Sequence, residues 1–261
     1  KPMIYLKNAE QLQCMRKSGA LLYEVLCHLR EAIKPGMSTT ELDVYAEQMI
    51  RKHKAIPSFL DYQGYPASIC ASVNDEVVHG IPADDVILKE GDVLSVDCGL
   101  ILDGWQADSA FTVGVGKISA EAQQLIDVTE QCFFKAARAS INGAHLGDIG
   151  HAVQQHAESF GYGVIRDLTG HGIGRNMHED PSIPNFGRPG HGVRLRAGMT
   201  IAIEPMIAMG GYSVSQLDDG WTIVTDDGSI CSHYEHTLAI NEKGLPELLT
   251  FPGYVLTEEA E

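Results

Sequence analysis

Two apolar runs in this chain each end in an acid, at the same distance past a glycine. Asp97 follows Val93-Leu94-Ser95-Val96, six residues after Gly91, and Glu204 follows Thr200-Ile201-Ala202-Ile203, six residues after Gly198. An acid that closes an apolar strand is costly to bury unless a cation or counter-charge meets it. A fold holding two such acids must supply that partner. The spacing constrains the fold further. Gly36 and Gly143 are 143 − 36 = 107 residues apart, and the same offset relates Leu42 to Ile149, Leu88-Lys89 to Leu195-Arg196, Gly91 to Gly198 and Asp97 to Glu204. One constant offset joining helix, strand and acid reads as a duplicated α/β unit. The expectation is a single pseudo-twofold α+β domain over 1–261, with repeats at roughly 8–113 and 119–240. Each half then contributes carboxylates at the shared seam.

Local signals fill in the elements. Asn8 with Gln11, and Ser38 with Glu41, form capping boxes for two helices. The first carries Leu12, Met15, Leu22, Val25, Leu26, Leu29 and Ile33 on one face and stops at Pro35-Gly36. The second turns Leu42, Tyr45, Met49 and Ile50 inward. Ser119 opens a third helix with Leu125, Val128 and Phe133, and a fourth from about Gly147 carries Ile149, Val153 and Phe160. Asp103-Gly104 is a two-residue hairpin signal. If Leu102 and Trp105 flank that turn, Asp97 faces Ala110 and Asp108 becomes its diagonal neighbour on one sheet face. The segment Glu179 to Val193, with three prolines, reads as a long loop walling a site.

Charge narrows the function. The 261 residues carry 19 Lys+Arg against 35 Asp+Glu, a formal net charge of −16. That balance opposes binding to nucleic acid, which depends on basic residues neutralising phosphates, and opposes docking on an anionic membrane. No run reaches the ~18 apolar residues of a membrane span, and Lys1 to Lys7 lead into the first helix without a signal-peptide core. Six scattered cysteines without a C-x-x-C pair fit reduced thiols. A cytoplasmic location is expected.

The acids then require explanation together. Asp97 and Asp108 as close neighbours repel unless a cation separates them. Glu204 ends its strand, and Glu235 lies in Ser232-His233-Tyr234-Glu235-His236-Thr237-Leu238 just before another. His171 is set in Gly170-His171-Gly172-Ile173-Gly174, where glycine permits close backbone packing. Four carboxylates and one imidazole make a hard site, too anionic for one ion and suited to two divalent ions.

These residues in this order, with Ile203-Glu204-Pro205-Met206, Tyr234-Glu235-His236-Thr237 and His178 after the glycine segment, resemble the type I methionine aminopeptidases of the pita-bread metallopeptidase fold. The resemblance spans nearly the whole chain. The interval 235 − 204 = 31 leaves no room for the helical insertion of type II enzymes. No extra N-terminal domain of the prolidase kind and no zinc-finger extension precedes the first helix, so the bacterial type is the most similar. The resemblance implies that Asp97 chelates one metal and His171 and Glu204 the other, with Asp108 and Glu235 bridging. It implies Glu204 as acceptor of the attacking water's proton, His79 beside the scissile amide, and His178 as donor to the substrate carbonyl. Tyr62, Tyr65, Cys70 and Trp221 match pocket positions. Phe59 stands where cysteine is frequent, Gln63 where histidine is usual, and Met177 where phenylalanine is common. Aromatic and sulfur walls suit a thioether side chain.

Further implications are two divalent ions (Mn, Fe, Co or Zn) and a monovalent cation on backbone carbonyls near Asn74, Glu76 and Cys231. The implied substrates are peptide and nascent-protein N-termini that begin with Met and have a small second residue. A monomer is implied, and such a substrate would suit ribosome association. The remaining histidines (His28, His53, His145, His151, His156, His191, His233, His236) read as structural. Two rivals stay open at this level: an Xaa-Pro peptidase, and a metal-free binding module on the same fold.

Overall fold

Four capped helices begin where the sequence signals stand. In the computed structural model, which describes residues 3–258, Asn8 and Gln11 exchange backbone-to-side-chain hydrogen bonds at 2.9 Å and open α1 (Ala9–Ala32). Ser38 and Glu41 do the same at 3.1 and 2.7 Å for α2 (Thr39–Lys52). The Ser119 hydroxyl accepts the Ala122 N–H for α3 (Ala120–Ala139). The Asp148 carboxylate accepts the His145 N–H at 2.7 Å for α4 (Leu146–Ser159). These contacts satisfy amide groups that a helix N-terminus otherwise leaves unpaired. No helix among the described residues is long and apolar enough to cross a membrane.

The main strands are β1 (Ile69–Val73), β2 (Val93–Leu102), β3 (Trp105–Gly114), β4 (Gly170–Gly172), β5 (Glu179–Ile183), β6 (Thr200–Ile203), β7 (Met206–Ala208), β8 (Val214–Gln216), β9 (Ile223–Thr225), β10 (Cys231–His233) and β11 (Glu235–Ala239). A nine-stranded antiparallel sheet runs from Ile56–Pro57 through β2, β3, β11, β6 and β4 to β5, with β1 also paired to β2 and Glu247–Leu248 to β11. The fold is α+β, and side-chain alternation divides its sheet into two faces. Leu94, Val96, Cys98 and Leu100 of β2 point to the helix side and pack with α1 and α2 residues such as Leu22, Leu29, Leu42 and Ile50. Ile201, Ile203 and Leu238 do likewise against Leu125 and Phe133 of α3 and Ile149 and Val153 of α4. The sequence of helix, helix and strand thus builds one apolar core per half. The opposite sheet face is left for the acids.

The two halves match in detail. α2 and α4 both have 14 residues and start 146 − 39 = 107 apart, and α1 and α3 end 107 apart at Ala32 and Ala139. Gly36 N–H donates to Leu88 O, as Gly143 N–H does to Leu195 O. Gly91 N–H donates to Val115 O, as Gly198 N–H does to Ile240 O. In this last pair the acceptors lie 240 − 115 = 125 apart. The 18 additional residues fall in 209–230, the connection that carries the β8–β9 hairpin and Trp221.

Two expectations are corrected. The first third of Glu179 to Val193 is strand β5, paired with β4, and only the remainder is loop. Pro181 is tolerated because β5 closes the sheet at its edge, where a missing N–H breaks no inner ladder. Phe160 does not join the inward face of α4: it caps the helix and is 42% exposed.

Candidate metal centre and substrate cavity

The hairpin at Asp103-Gly104 has both residues at positive φ (51° and 78°) and aligns Leu102 with Trp105. Asp97 therefore faces Ala110, and Asp108 pairs with Gly99 two positions along the same face. β11 continues the row, with Glu235 opposite Ala110. The β6–β11 register, His236 opposite Ile203, places Glu204 beside Glu235. Asp97, Ala110, Glu235 and Glu204 thus stand abreast across four strands, on the face away from the helices. The small side chain of Ala110 leaves space among three acids.

His171 enters from β4, squeezed between β5 and β6. A Cβ at Gly170 would stand 2.3 Å from Ala202 O, and one at Gly172 2.2 Å from Asp180 O. Those glycines exist for close strand approach. His171 Nδ1 is bonded to Gly172 O at 2.8 Å, which directs Nε2 at the acids. Nε2 lies 3.6 Å from both Asp108 Oδ2 and Glu204 Oε1. Donors sharing one cation through bonds of ~2.0–2.2 Å stand roughly 3–4 Å apart. The spacing is too long for good hydrogen bonds and right for ligands.

Electrostatics agree. Burial, then the charges of Asp108 and Glu204, hold Asp97 well above the usual carboxylate range, and burial with Asp108, Glu204 and Asp97 does the same to Glu235. For His171, burial pulls the pKa down, but the Asp108 and Glu204 carboxylates outweigh it and leave it raised. Asp97 Oδ1, Asp108 Oδ1 and Glu235 Oε1 are buried without hydrogen-bond partners. Among the described residues, the cationic side chains within ion-pair distance of these acids are imidazoles. Orphaned carboxylate oxygens around a common point, in a hard O,N donor set, fit divalent cations.

Above this floor opens a cavity of about 350 Å³. Phe59, Tyr65, Cys70 and Met177 form one buried apolar cluster, with Tyr62 and Trp221 packed against it. Tyr65 meets Trp221 edge-on at 5.1 Å and donates its hydroxyl to Ile69 O at 2.8 Å. His79 stands at φ 60°, in the left-handed region that few residues other than glycine adopt, and burial pushes its pKa down. His178 lines the same cavity, its ring 4.4 Å from that of His171 and its Nδ1 2.8 Å from the Tyr62 hydroxyl. Every residue singled out from the sequence for the divalent ions, proton transfer or the pocket lines this one cavity, as does Gln63, whereas Asn74, Glu76 and Cys231 lie outside it.

The profile of metallopeptidase family M24 matches residues 13–242. The chain belongs to metallopeptidase family M24. Among its relatives, a methionine aminopeptidase of Clostridium acetobutylicum is 52% identical over 95% of this chain and 99% of that protein. Methionine aminopeptidase 1 of Bacillus subtilis is 46% identical over the same shares. The crystal structure of methionine aminopeptidase from Rickettsia prowazekii superposes with a TM-score of 0.93 at 42% identity, covering 95% of this chain and all of that one. These matches give the M24 chain the pita-bread fold expected of it.

One residue of this M24 metallopeptidase escaped sequence reasoning. His233, read as structural, is 1% exposed and lies inside the centre, with Nε2 3.4 Å from Glu204 Oε2 and 3.9 Å from Glu235 Oε2. The signal was available: two residues before Glu235 on an alternating strand falls on the same face. His236 keeps its structural reading. It points to the helix side, bonded to Thr250 and Tyr234, and burial drives its pKa down to about 3. The other six histidines do not line the cavity.

Proposed function

We propose that this chain is a two-metal aminopeptidase that removes N-terminal methionine from peptides and nascent proteins whose second residue is small. The observation that carries it is the union, in one cavity, of four converging carboxylates and His171 with an aromatic and sulfur-lined wall beside them. Relatives bearing the methionine aminopeptidase name over the chain's whole matched length support the same reading.

In this reading Asp97 would hold one ion, His171 and Glu204 the other, and Asp108 and Glu235 would serve both; manganese, iron, cobalt and zinc all suit the donors. Bound divalent ions supply Lewis acidity, lowering the pKa of water and polarising a carbonyl. The protein's own groups do the rest. Glu204 takes the proton of the attacking water. The methionine side chain enters between Phe59, Tyr62, Tyr65, Cys70, Met177 and Trp221. His178 donates to the substrate carbonyl oxygen as charge develops there, and His79 attends the departing amide. The halves 8–113 and 119–240 are read as duplicated units of one catalytic domain, supported by their common hydrogen-bond pattern. A monovalent cation near Asn74, Glu76 and Cys231, a monomeric state, a cytoplasmic location and ribosome association complete the reading. The Cys231 N–H already bonds Asn74 O at 2.9 Å, which brings two of the three cation positions together.

The test is release of the first residue from Met-Ala, Leu-Ala and Ala-Pro peptides by chelated protein, before and after adding manganese, iron or cobalt. Metal-restored cleavage confined to Met-Ala is expected. Cleavage of Ala-Pro would mean an Xaa-Pro peptidase, and folded protein inactive with every metal would mean a binding module.

A further inference from the structure

The two halves place different side chains at one equivalent position. Asp97 and Glu204 correspond at an offset of 107, and their partner strands at 125, since Asp97 faces Ala110 as Glu204 lies beside Glu235. The same 125 relates Asp108 to His233, and the pairings Gly99–Asp108 and Met206–His233 correspond. The backbone treats the two alike. Thr237 Oγ1 donates to Asp108 O at 2.8 Å and accepts its N–H at 3.2 Å. Thr112 Oγ1 donates to His233 O at 2.7 Å and accepts its N–H at 2.9 Å. Thr112 and Thr237 are themselves 125 apart, so each half's threonine clamps the other half's residue.

What differs is the chemistry held there. In the first half the clamped residue is a carboxyl against Asp97, an acid–acid contact that needs a cation. In the second it is an imidazole whose Nε2 lies 3.4 Å from Glu204 Oε2 and is buried without a hydrogen bond. Glu204 is thereby flanked, with Oε1 toward His171 and Oε2 toward His233. Four carboxylates balance the charge of two divalent ions. A fifth at position 233 would exceed it, whereas an imidazole adds a donor without negative charge.

We propose that His233 is the positioning residue of Glu204. Its Nε2, 3.4 Å from the carboxylate oxygen turned away from His171, is placed to donate to that oxygen and so keep Oε1 aimed at the centre. This rests on the role given to Glu204 above. Carboxylate ligands depend on such outer partners, whose loss typically costs ~10–100-fold in metal affinity or activity.

The experiment compares His233→Ala with His233→Gln, whose amide N–H reaches about as far as Nε2. Mn²⁺ affinity is read by EPR titration of the full chain, with kcat and KM measured on Met-Ala peptide. For His233→Ala, Mn²⁺ binding should weaken ~10–100-fold and kcat should fall with KM little changed. His233→Gln should restore both to within about threefold of the unaltered protein. In a Glu204→Gln background, His233→Ala should no longer change Mn²⁺ affinity. Three results would overturn the proposal: unchanged affinity in His233→Ala, no rescue by glutamine, or an undiminished effect in the Glu204→Gln background. Should His233→Ala fail to fold, His233→Asn, whose amide is too short to reach Glu204, takes its place. Because Mn²⁺ affinity is read without turnover, a protein that binds Mn²⁺ but spares Met-Ala would sink the proposed reaction and still judge His233.

Discussion

At the residue scale the centre is defined by what its acids lack. Asp97, Asp108 and Glu235 each keep a buried oxygen with no hydrogen-bond partner, a state that costs a few kcal/mol per group unless a cation meets it. Asp108→Asn preserves shape while removing the charge shared with Asp97. It should lose bound metal, measured by elemental analysis, and lower kcat on Met-Ala at least ~100-fold. The metal-free protein should melt no lower than unaltered metal-free protein, since one source of repulsion on Asp97 is gone. An Asp108→Asn protein with its full metal complement and full activity would remove Asp108 from the centre. Asp97, Glu204 and Glu235 were legible in the sequence because each borders an apolar run, and Asp108 because the hairpin register sets it beside Asp97. For His233 the sequence offers only the face it shares with Glu235, because nothing near it in sequence shows Thr112, from the other half, holding its backbone.

At the element scale, the connection between β4 and β5 carries Met177 and His178 and is anchored by one buried ion pair. Lys7 Nζ meets Glu179 Oε2 at 2.7 Å with both side chains 4% exposed, while Glu179 Oε1 accepts the Asn176 N–H at 3.2 Å. Removing one partner of a buried pair typically costs ~3–5 kcal/mol, because the other charge stays buried and alone. Lys7→Met should therefore lower Tm by roughly 6–20 °C, at the ~2–4 °C per kcal/mol usual for this size. It should also reduce kcat/KM by loosening the wall that holds Met177 and His178. Lys7→Met combined with Glu179→Leu should recover most of the Tm, and a single variant melting like the unaltered protein would contradict the anchoring. The caps and the hairpin register were readable because each depends on neighbours within a few residues. β5 was not, because its proline pattern is that of a loop and only pairing with β4 makes it a strand.

At the scale of the whole molecule, the centre ties the halves together. Asp97 and Asp108 come from the first half and His171, Glu204 and Glu235 from the second, so in the proposed reading a shared cation would link two separately cored units. Ligand binding to the folded state alone adds about 2.7 kcal/mol at 100 times Kd. Saturating Mn²⁺ or Co²⁺ should thus raise Tm by roughly 5–10 °C, and EDTA should reverse it. No shift with any divalent ion would deny the centre this role.

The sequence by itself determined the α+β class, the 107-residue correspondence, the capped helices, the Asp97–Asp108 geometry and the family resemblance. Each follows from local patterning, from a constant spacing or from a motif whose order is specific. Tertiary structure alone decided that 18 residues inserted at a hairpin tip shift the second offset to 125. It likewise decided that His233 thereby becomes the counterpart of Asp108 beside Glu204. The physical reason is that side-chain alternation fixes only the face a residue points to. What it meets there is set by strands that the chain brings together from more than 100 residues away.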